Sequence, residues 1–142
     1  MCMVFVDTDI VINYLRKKPK PLVMKAQTVM KELFEKNGDV KVTTFTVGEL
    51  YEGIFLSKNP ARNIRIIEEF LGKFTMINFS RAAAIEYGRI SAELQKMGTP
   101  IGNIDELIAS IVINANDTLY TRNIDHFEKI AGLKCINWNT ST

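Results

Sequence analysis

Short apolar runs alternate with helical patterns along this chain of 142 residues, and the alternation restricts the folds open to it. The runs that we predict as strands cover residues 3–6, 40–43, 75–78, 118–120 and 134–137. Between them, apolar residues recur at the spacing of three and four that is typical of amphipathic helices. Strands separated by helices pair in parallel and carry helices on both faces of the sheet. The sequence therefore predicts an α/β fold with a central parallel sheet of four to five strands.

Polar residues indicate where the predicted helices begin and end. The first helix is expected to follow the Asp7-Thr8-Asp9 segment and to run to about Lys18, inside a basic cluster at residues 16–20. Cations near the C-terminus of a helix interact favourably with its dipole, so we interpret that cluster as a solvated helix end. A later helix is predicted to begin at Asn103, where Glu106 three residues on fits a capping box.

The composition is that of an ordinary globular protein, and we predict a single domain over residues 1–142. The formal net charge is only +2, which argues against tight non-specific binding of nucleic acid through a strong basic field. The two cysteines, Cys2 and Cys135, lack the spacing of a zinc site. No segment has the length of a membrane span or the pattern of a signal peptide, so we expect a cytoplasmic protein with no membrane association.

Asp7 is the first candidate for a functional residue. It ends the apolar run of the first predicted strand, and ligands bind at the carboxyl ends of parallel strands. A carboxylate is costly to bury unless a partner such as a cation compensates its charge. The alternative is that Asp7 only caps the helix that follows, a role for which Asp is well suited.

Asp105 and Glu49 are weaker candidates on their patterns alone. A helical wheel places Asp105 on the shoulder of an apolar arc and Glu106 on the opposite, polar side. Asp105 is then either a partly buried carboxylate that needs a partner or a plain first-turn residue favoured by the helix dipole. Periodicity does not choose between Glu49 and Glu52, which both lie off the apolar face of their helix. Gly53 leaves that helix bare, so another backbone is expected to approach there.

Four segments in order resemble the PIN-domain ribonucleases, and their spacing resembles that of the VapC toxins of VapBC toxin–antitoxin pairs. The similarity extends from residue 3 to Trp138 and implies a PIN-like three-layer α/β/α fold. The segments are Asp7-Thr8-Asp9, Thr46-Val47-Gly48-Glu49-Leu50 with Gly53, residues 102–109, and Thr121-Arg122-Asn123 before Phe127.

The resemblance also implies which residues form the site. Asp7, Glu49 and Asp105 match the three core acidic positions of the family. The fourth position falls at Asn123, where some members have Asp, and Asp125 is close enough to be an alternative fourth acid. Oxygen ligands of this kind suit Mg²⁺ or Mn²⁺, which are hard ions.

Three smaller expectations concern the neighbours of these acids. Asp9 stands where the family more often has Asn, so it either adds charge to the site or only caps the helix. Thr8 and Thr121 are expected to hydrogen-bond a carboxylate or water of the site. The single histidine, His126, is expected to have a structural role, because magnesium does not favour imidazole.

The activity that the resemblance implies is metal-dependent endoribonuclease cleavage of RNA, by a homodimeric toxin that a VapB-like antitoxin inhibits. The alternatives are a housekeeping PIN nuclease in RNA processing and a non-catalytic PIN-like binding module. A third is an Asp-x-Asp phosphotransferase with Asp7 as covalent nucleophile. Ile10 and Val11 disfavour that third class, because Gly-Thr usually stands at those positions.

Overall fold

A computed structural model describes residues 3–140, so Cys2 lies outside the described part of the chain. Five strands and seven helices form within that range. The strands are β1 (Val4–Val6), β2 (Val40–Thr43), β3 (Thr75–Ile77), β4 (Thr118–Thr121) and β5 (Lys134–Asn137). The helices are α1 (Thr8–Leu15), α2 (Pro21–Lys36), α3 (Thr44–Phe55), α4 (Pro60–Leu71), α5 (Arg81–Lys96), α6 (Asn103–Ala115) and α7 (Ile124–Phe127). No helix within residues 3–140 combines the length and the apolar character that a membrane crossing requires.

The strands form one parallel sheet in the order β3-β2-β1-β4-β5, which confirms the prediction of a parallel sheet of four to five strands. From β1 the chain adds β2 and β3 on one side of the sheet, and it later returns to add β4 and β5 on the other. The order therefore reverses between β1 and β4. Ligands of open α/β sheets bind in the crevice at such a reversal, beyond the carboxyl ends of the strands.

The two faces of the sheet carry separate apolar cores. Successive side chains of a strand point to opposite faces, so Val4 and Val6 of β1 enter one core and Phe5 enters the other. The first core also takes buried residues of α1, α2, α3 and α4, whereas the second takes those of α5, α6 and α7. The predicted three-layer α/β/α arrangement is thereby confirmed.

Helix α1 is shorter than the sequence predicts. It ends at Leu15, and Arg16 already has an extended backbone with ψ 142°. Lys18 precedes Pro19, whose ring disfavours a helical conformation at the residue before it. The basic cluster 16–20 is consequently an exposed connection between α1 and α2, and not the last turn of a helix.

Candidate functional site

Asp7 lies at the point where the strand order reverses. Its backbone N–H donates to the carbonyl of Tyr120 in β4 at 2.9 Å, so the residue extends the pairing of the two central strands. The side chain is 8% exposed. Oδ1 accepts from the backbone N–H of Thr8, and Oδ2 accepts from the hydroxyl of Thr121, both at 2.8 Å. Asp7 is thus the N-cap of α1 and also a buried carboxylate at the ligand-binding edge of the sheet.

Burial raises the pKa of Asp7 from 3.8 to about 6. The hydrogen bonds from Thr121 and Thr8 act in the opposite direction, while the negative charges of Asp105 and Glu49 raise the pKa further. Asp105 and Glu49 therefore both lie within electrostatic range of Asp7. A buried acid that is repelled by two others would be stabilised in its charged form by a bound cation.

Glu49 is tied to the same edge by the residue that follows Asp7. The hydroxyl of Thr8 donates to Glu49 Oε1 at 2.6 Å and lies 3.1 Å from the hydroxyl of Thr46. Helix α3 begins directly after β2 because Thr43 caps it, accepting from the N–H of Thr46 at 3.2 Å. Glu49 is thereby turned towards β1, whereas Glu52 is exposed on the same helix.

The expectation that another backbone approaches Gly53 is wrong. A methyl group added at Gly53 would meet nothing within 4 Å. The residue instead lines an open groove of about 530 Å³ between α1, α3 and α4. That groove has an apolar wall and reaches Glu49, so it opens directly beside this carboxylate.

Asp105, Asn123 and His126 form the opposite side of the site. The Nδ2 of Asn123 lies 3.3 Å from Asp105 Oδ2 and 2.8 Å from His126 Nδ1, which is itself 3.2 Å from the same carboxylate oxygen. A ring protonated at Nδ1 donates to Asp105, whereas a ring with bare Nδ1 accepts from Asn123. This position of His126 has no signal in the sequence, because the contact joins residues on two separate helices.

Glu106 contradicts both expectations for the start of α6. It is only 3% exposed, and it accepts from the backbone N–H of Ile101 at 3.4 Å instead of completing a capping box with Asn103. The N-cap is Gly102, whose φ of +111° is a conformation that favours glycine. The helical wheel wrongly predicted an exposed Glu106 because α6 is covered on nearly all sides. Ser110, on the side predicted as polar, is also fully buried.

Asp9 and Arg122 form an ion pair at the rim of the site, and no pattern in the sequence indicates it. Arg122 Nε lies 2.6 Å from Asp9 Oδ2, and Nη2 donates to Oδ1 at 3.2 Å. Asn13 Nδ2 donates to the same Oδ1, also at 3.2 Å. The guanidinium sits 5.9 Å from the centre of the Trp138 ring. The charge of Asp9 is therefore compensated by Arg122.

Thr121 and Asn123 connect the two sides of the site. Thr121 Oγ1 donates to Asp7 and accepts from the backbone N–H of Asn123 at 3.0 Å. A series of adjacent residues and hydrogen bonds thus runs from Glu49 through Thr8, Asp7, Thr121 and Asn123 to Asp105. The expectation that Thr8 and Thr121 hydrogen-bond carboxylates of the site is confirmed.

The donor set fits a hard divalent ion that keeps part of its water. Within residues 3–140, no three acidic, histidine or cysteine side chains surround one point closely enough to hold a metal directly. Mg²⁺ is usually bound through one or two carboxylates and several waters, so it does not need such a cage. The oxygen ligands on offer are Asp7, Glu49, Asp105 and the amide of Asn123, and the buried charge of Asp7 is the feature that a cation would stabilise.

Asn123 and Asp125 are the two candidates for the fourth position of the site, and mutation can distinguish them. Asn123 contacts Asp105, whereas Asp125 is exposed on α7. We expect Asn123→Ala to lower the rate of RNA cleavage by about ten- to a hundredfold, as the loss of a group that orients a metal ligand does. Asp125→Asn should change the rate by less than about twofold, as is usual for surface substitutions.

Initial rates with one RNA substrate and Mg²⁺ provide the measurement. Equal losses in Asn123→Ala and Asp125→Asn would identify Asp125 as the fourth acid after all. His126→Ala belongs in the same series and is expected to cost less than Asn123→Ala, because magnesium does not favour imidazole and the ring acts only through its contact with Asp105.

Comparison with known proteins gives a consistent set of relatives. The family model described as PIN domain matches residues 4–133. The chain is 34% identical to Ribonuclease VapC2 of Haemophilus influenzae over 139 residues, which cover 97% of this chain and 99% of the relative. It is 31% identical to the tRNA(fMet)-specific endonuclease VapC of Shigella flexneri over 140 residues, which cover 98% of this chain and 100% of the relative.

Solved structures show the same similarity in three dimensions. The chain superposes with a TM-score of 0.85 and 31% identity on a chain of VapBC2 from Rickettsia felis bound to a DNA fragment from its promoter. The match covers 96% of this chain and 99% of that one. A chain of VapBC-1 from nontypeable Haemophilus influenzae gives a TM-score of 0.82 at 30% identity, covering 97% and 99% of the two chains.

Proposed function

The chain belongs to the PIN-domain family, and from that premise we propose that it is a metal-dependent endoribonuclease, the toxin of a VapBC-type toxin–antitoxin pair. Relatives named as ribonucleases and as a tRNA endonuclease, each matched over almost the whole chain, support the activity. The observation that carries the proposal is the connected series of side chains from Glu49 through Asp7 to Asp105 at the reversal of strand order.

Each residue of the site has a role that its contacts support. Asp7, Glu49 and Asp105 would hold Mg²⁺ or Mn²⁺ either directly or through bound water, with Asn123 as a neutral fourth ligand. When bound, such an ion activates water and stabilises the charge that develops on the phosphodiester oxygens. Thr8 and Thr121 fix the orientation of Glu49 and Asp7, so the carboxylates are held in place before substrate arrives. Asp105 is further restrained by Asn123 and His126.

The substrate class that suits the site is single-stranded or looped RNA. The acidic residues lie at an open edge of the sheet, where Asp105 and Asn123 are partly exposed. Exposed bases and 2′-hydroxyl groups of loops are the features that proteins read in RNA, whereas the deep groove of a duplex is not accessible to side chains. We propose that this chain cleaves an RNA that presents such a loop.

The groove beside Glu49 supports an antitoxin as the protein partner. Two of the similar structures are complexes of the VapBC type. The groove is lined by apolar side chains such as Ile12, Ile54 and Ile66, which suits one face of an amphipathic segment. A basic side chain at the end of that segment would reach the carboxylates and pair with them in place of the metal.

A homodimer is the proposed state of the toxin itself. Large apolar side chains remain exposed on the surface away from the sheet, among them Ile85 on α5 at 69% and Phe55 on α3 at 65%. Exposed apolar surface binds another protein chain where it forms a contiguous patch. The resemblance to VapC proteins supports a second copy of the chain as one such partner.

Removal of the metal is expected to abolish cleavage, because the metal supplies both water activation and charge stabilisation. The purified protein should cleave a structured RNA in Mg²⁺ or Mn²⁺, and the products should disappear when EDTA is added. Restoring an excess of Mg²⁺ should restore the rate, which controls for damage by the chelator. The cognate antitoxin should suppress the same cleavage.

Cleavage that persists in EDTA would contradict the proposal and indicate another mechanism. A phosphorylated aspartate trapped at Asp7 would instead identify the Asp-x-Asp phosphotransferase class. RNA binding without any cleavage in either metal would favour the non-catalytic binding module. A toxin is further distinguished from a housekeeping nuclease by arrest of growth when the chain is expressed without its antitoxin.

A further inference from the structure

We propose that the cleft between Arg122 and the amides of Asn123, Asn137 and Asn139 binds the RNA strand next to the cleaved bond, and that Arg122 contacts a phosphate there. This inference rests on the proposed nuclease function. It adds a binding residue that is not among the acidic positions of the family, and it assigns a role to the ion pair of Asp9 and Arg122. We call this space the amide cleft.

The amide cleft adjoins the buried carboxylate of the site. Its volume is about 520 Å³, and its walls are Asp7, Asp9, Thr121, Arg122, Asn123, Asn137 and Asn139. Strands β4 and β5 create it, because Thr121 and Asn137 are partners in the parallel register and both end their strands at the same edge. A strand of RNA bound at the acidic residues therefore passes directly over this cleft.

The carboxamides of Asn137 and Asn139, which both line the cleft, are suited to the edges of unpaired bases. Each carboxamide offers a donor and an acceptor, and Asn pairs with bases in a bidentate manner. Asn137 Oδ1 accepts from the backbone N–H of Asn139 at 2.9 Å, which orders the chain after β5. Trp138 between them is buried, at 2% exposed, so the backbone that carries both amides is anchored in the core.

Arg122 has the chemistry and the support that a phosphate contact needs. Its guanidinium has five N–H donors, of which Asp9 engages Nε and Nη2. The side chain is 41% exposed, so the rest of the planar fork can reach solvent or a ligand. The Trp138 ring lies beneath it and Asn13 fixes Asp9, so the guanidinium is held in place before RNA binds.

The charges that line the cleft favour a direct contact of Arg122 with RNA, in addition to its ion pair with Asp9. Asp7 and Asp9 both line the cleft and repel a phosphate, and Arg122 is the sole cation among the residues that line it. A phosphate that approaches Asp7 thus meets one positive group there. Arg binds phosphate in a bidentate manner, which also fixes the position of the strand.

The test measures RNA binding separately from cleavage. In a background of Asp7→Asn, which is expected to bind RNA without cutting it, fluorescence anisotropy gives the Kd for a labelled single-stranded RNA in Mg²⁺. Arg122→Asn should raise that Kd by about tenfold, as expected for the loss of one charge-assisted contact. The slope of log K against log salt should fall by about 0.7, which corresponds to one phosphate contact on a single strand.

Arg89 provides a matched control on α5. It is also an arginine with two ion-pair contacts, to Glu86 at 2.8 Å and to Glu93 at 3.1 Å, and its side chain is 38% exposed. Arg89→Asn should leave both the Kd and the salt slope unchanged. Thermal melts of all variants verify that they are folded, and Arg122→Lys replaces Arg122→Asn if the latter does not fold. The lysine keeps one charge but loses the bidentate fork, so a smaller rise in Kd is expected.

The background of Asp9→Asn separates a role towards RNA from a role towards Asp9. If Arg122 contacts phosphate, Arg122→Asn still raises the Kd by about tenfold when Asp9 is already neutral. An unchanged Kd in that background would overturn the inference, because Arg122 would then serve only to compensate Asp9. If the unsubstituted protein cleaves RNA in a metal-dependent manner but Arg122→Asn does not change the Kd, this inference is wrong and the proposed function stands. If the unsubstituted protein neither cleaves nor binds RNA, both the proposed function and this inference are wrong.

Discussion

Asp7→Asn is expected to lower the rate of RNA cleavage by about a hundredfold or more, because it removes a charge from the metal site while keeping the size of the side chain. Asp7 is the most buried of the three core acids and lies at the reversal of strand order. The amide oxygen still accepts from the N–H of Thr8, whereas the amide nitrogen donates to the hydroxyl oxygen of Thr121 and so reverses that hydrogen bond. The loss of charge is thereby the main change at the site.

Initial rates in Mg²⁺ and in Mn²⁺ measure this effect. Asp39→Asn is the matched control, since Asp39 precedes β2 at the opposite edge of the sheet and, among residues 3–140, accepts only from the hydroxyl of Thr75, at 3.3 Å. The control should keep nearly full activity. If Asp7→Asn retained more than about a tenth of the rate, the assignment of the metal to this carboxylate would be wrong.

The same substitution is expected to stabilise the metal-free protein at neutral pH by about 3 kcal/mol, which follows from a pKa of about 6 in the folded state against 3.8 in the unfolded chain. Burial disfavours the charged form of Asp7, so between these two pKa values the folded state binds more protons than the unfolded state. The free energy of unfolding therefore falls as the pH rises from about 4 to about 6, and the loss is complete above that range.

Urea denaturation in EDTA at several pH values measures this effect. Other carboxylates titrate in the same range, so the informative quantity is the difference between Asp7→Asn and the unsubstituted protein. That difference should be near zero below pH 4 and should reach about 3 kcal/mol at pH 7. Asp39→Asn should show no such increase. A difference that stays flat over the whole pH range would refute the raised pKa.

Metal links the two expectations. An ion that binds the folded state alone stabilises it by an amount that grows with the logarithm of its concentration once that concentration exceeds its Kd. Mg²⁺ should therefore restore stability to the unsubstituted protein at pH 7 and should have much less effect on Asp7→Asn. The buried charge of Asp7 would then destabilise the metal-free protein, and the same charge would bind the metal.

The sequence by itself determined the class of fold and indicated Asp7 as the first candidate for the site. Apolar runs between amphipathic patterns leave few ways to bury both kinds of element other than a parallel sheet covered on two faces. Asp7 could be singled out because it ends a buried strand, and the carboxyl end of a parallel strand is a ligand-binding edge whatever the neighbouring strands are. Both inferences depend on local pattern and need no knowledge of strand order.

The tertiary structure decided which side chains meet at that edge. The contact of Thr121 with Asp7 spans 114 positions and that of Arg122 with Asp9 spans 113, and both exist because β4 pairs with β1. The choice of Glu49 over Glu52 and the burial of Glu106 depend likewise on what covers α3 and α6. Periodicity indicates that a helix has a buried face, but it does not identify the neighbour or show that a second face is covered. Contacts between distant segments follow from strand order and helix packing, which are properties of the whole chain.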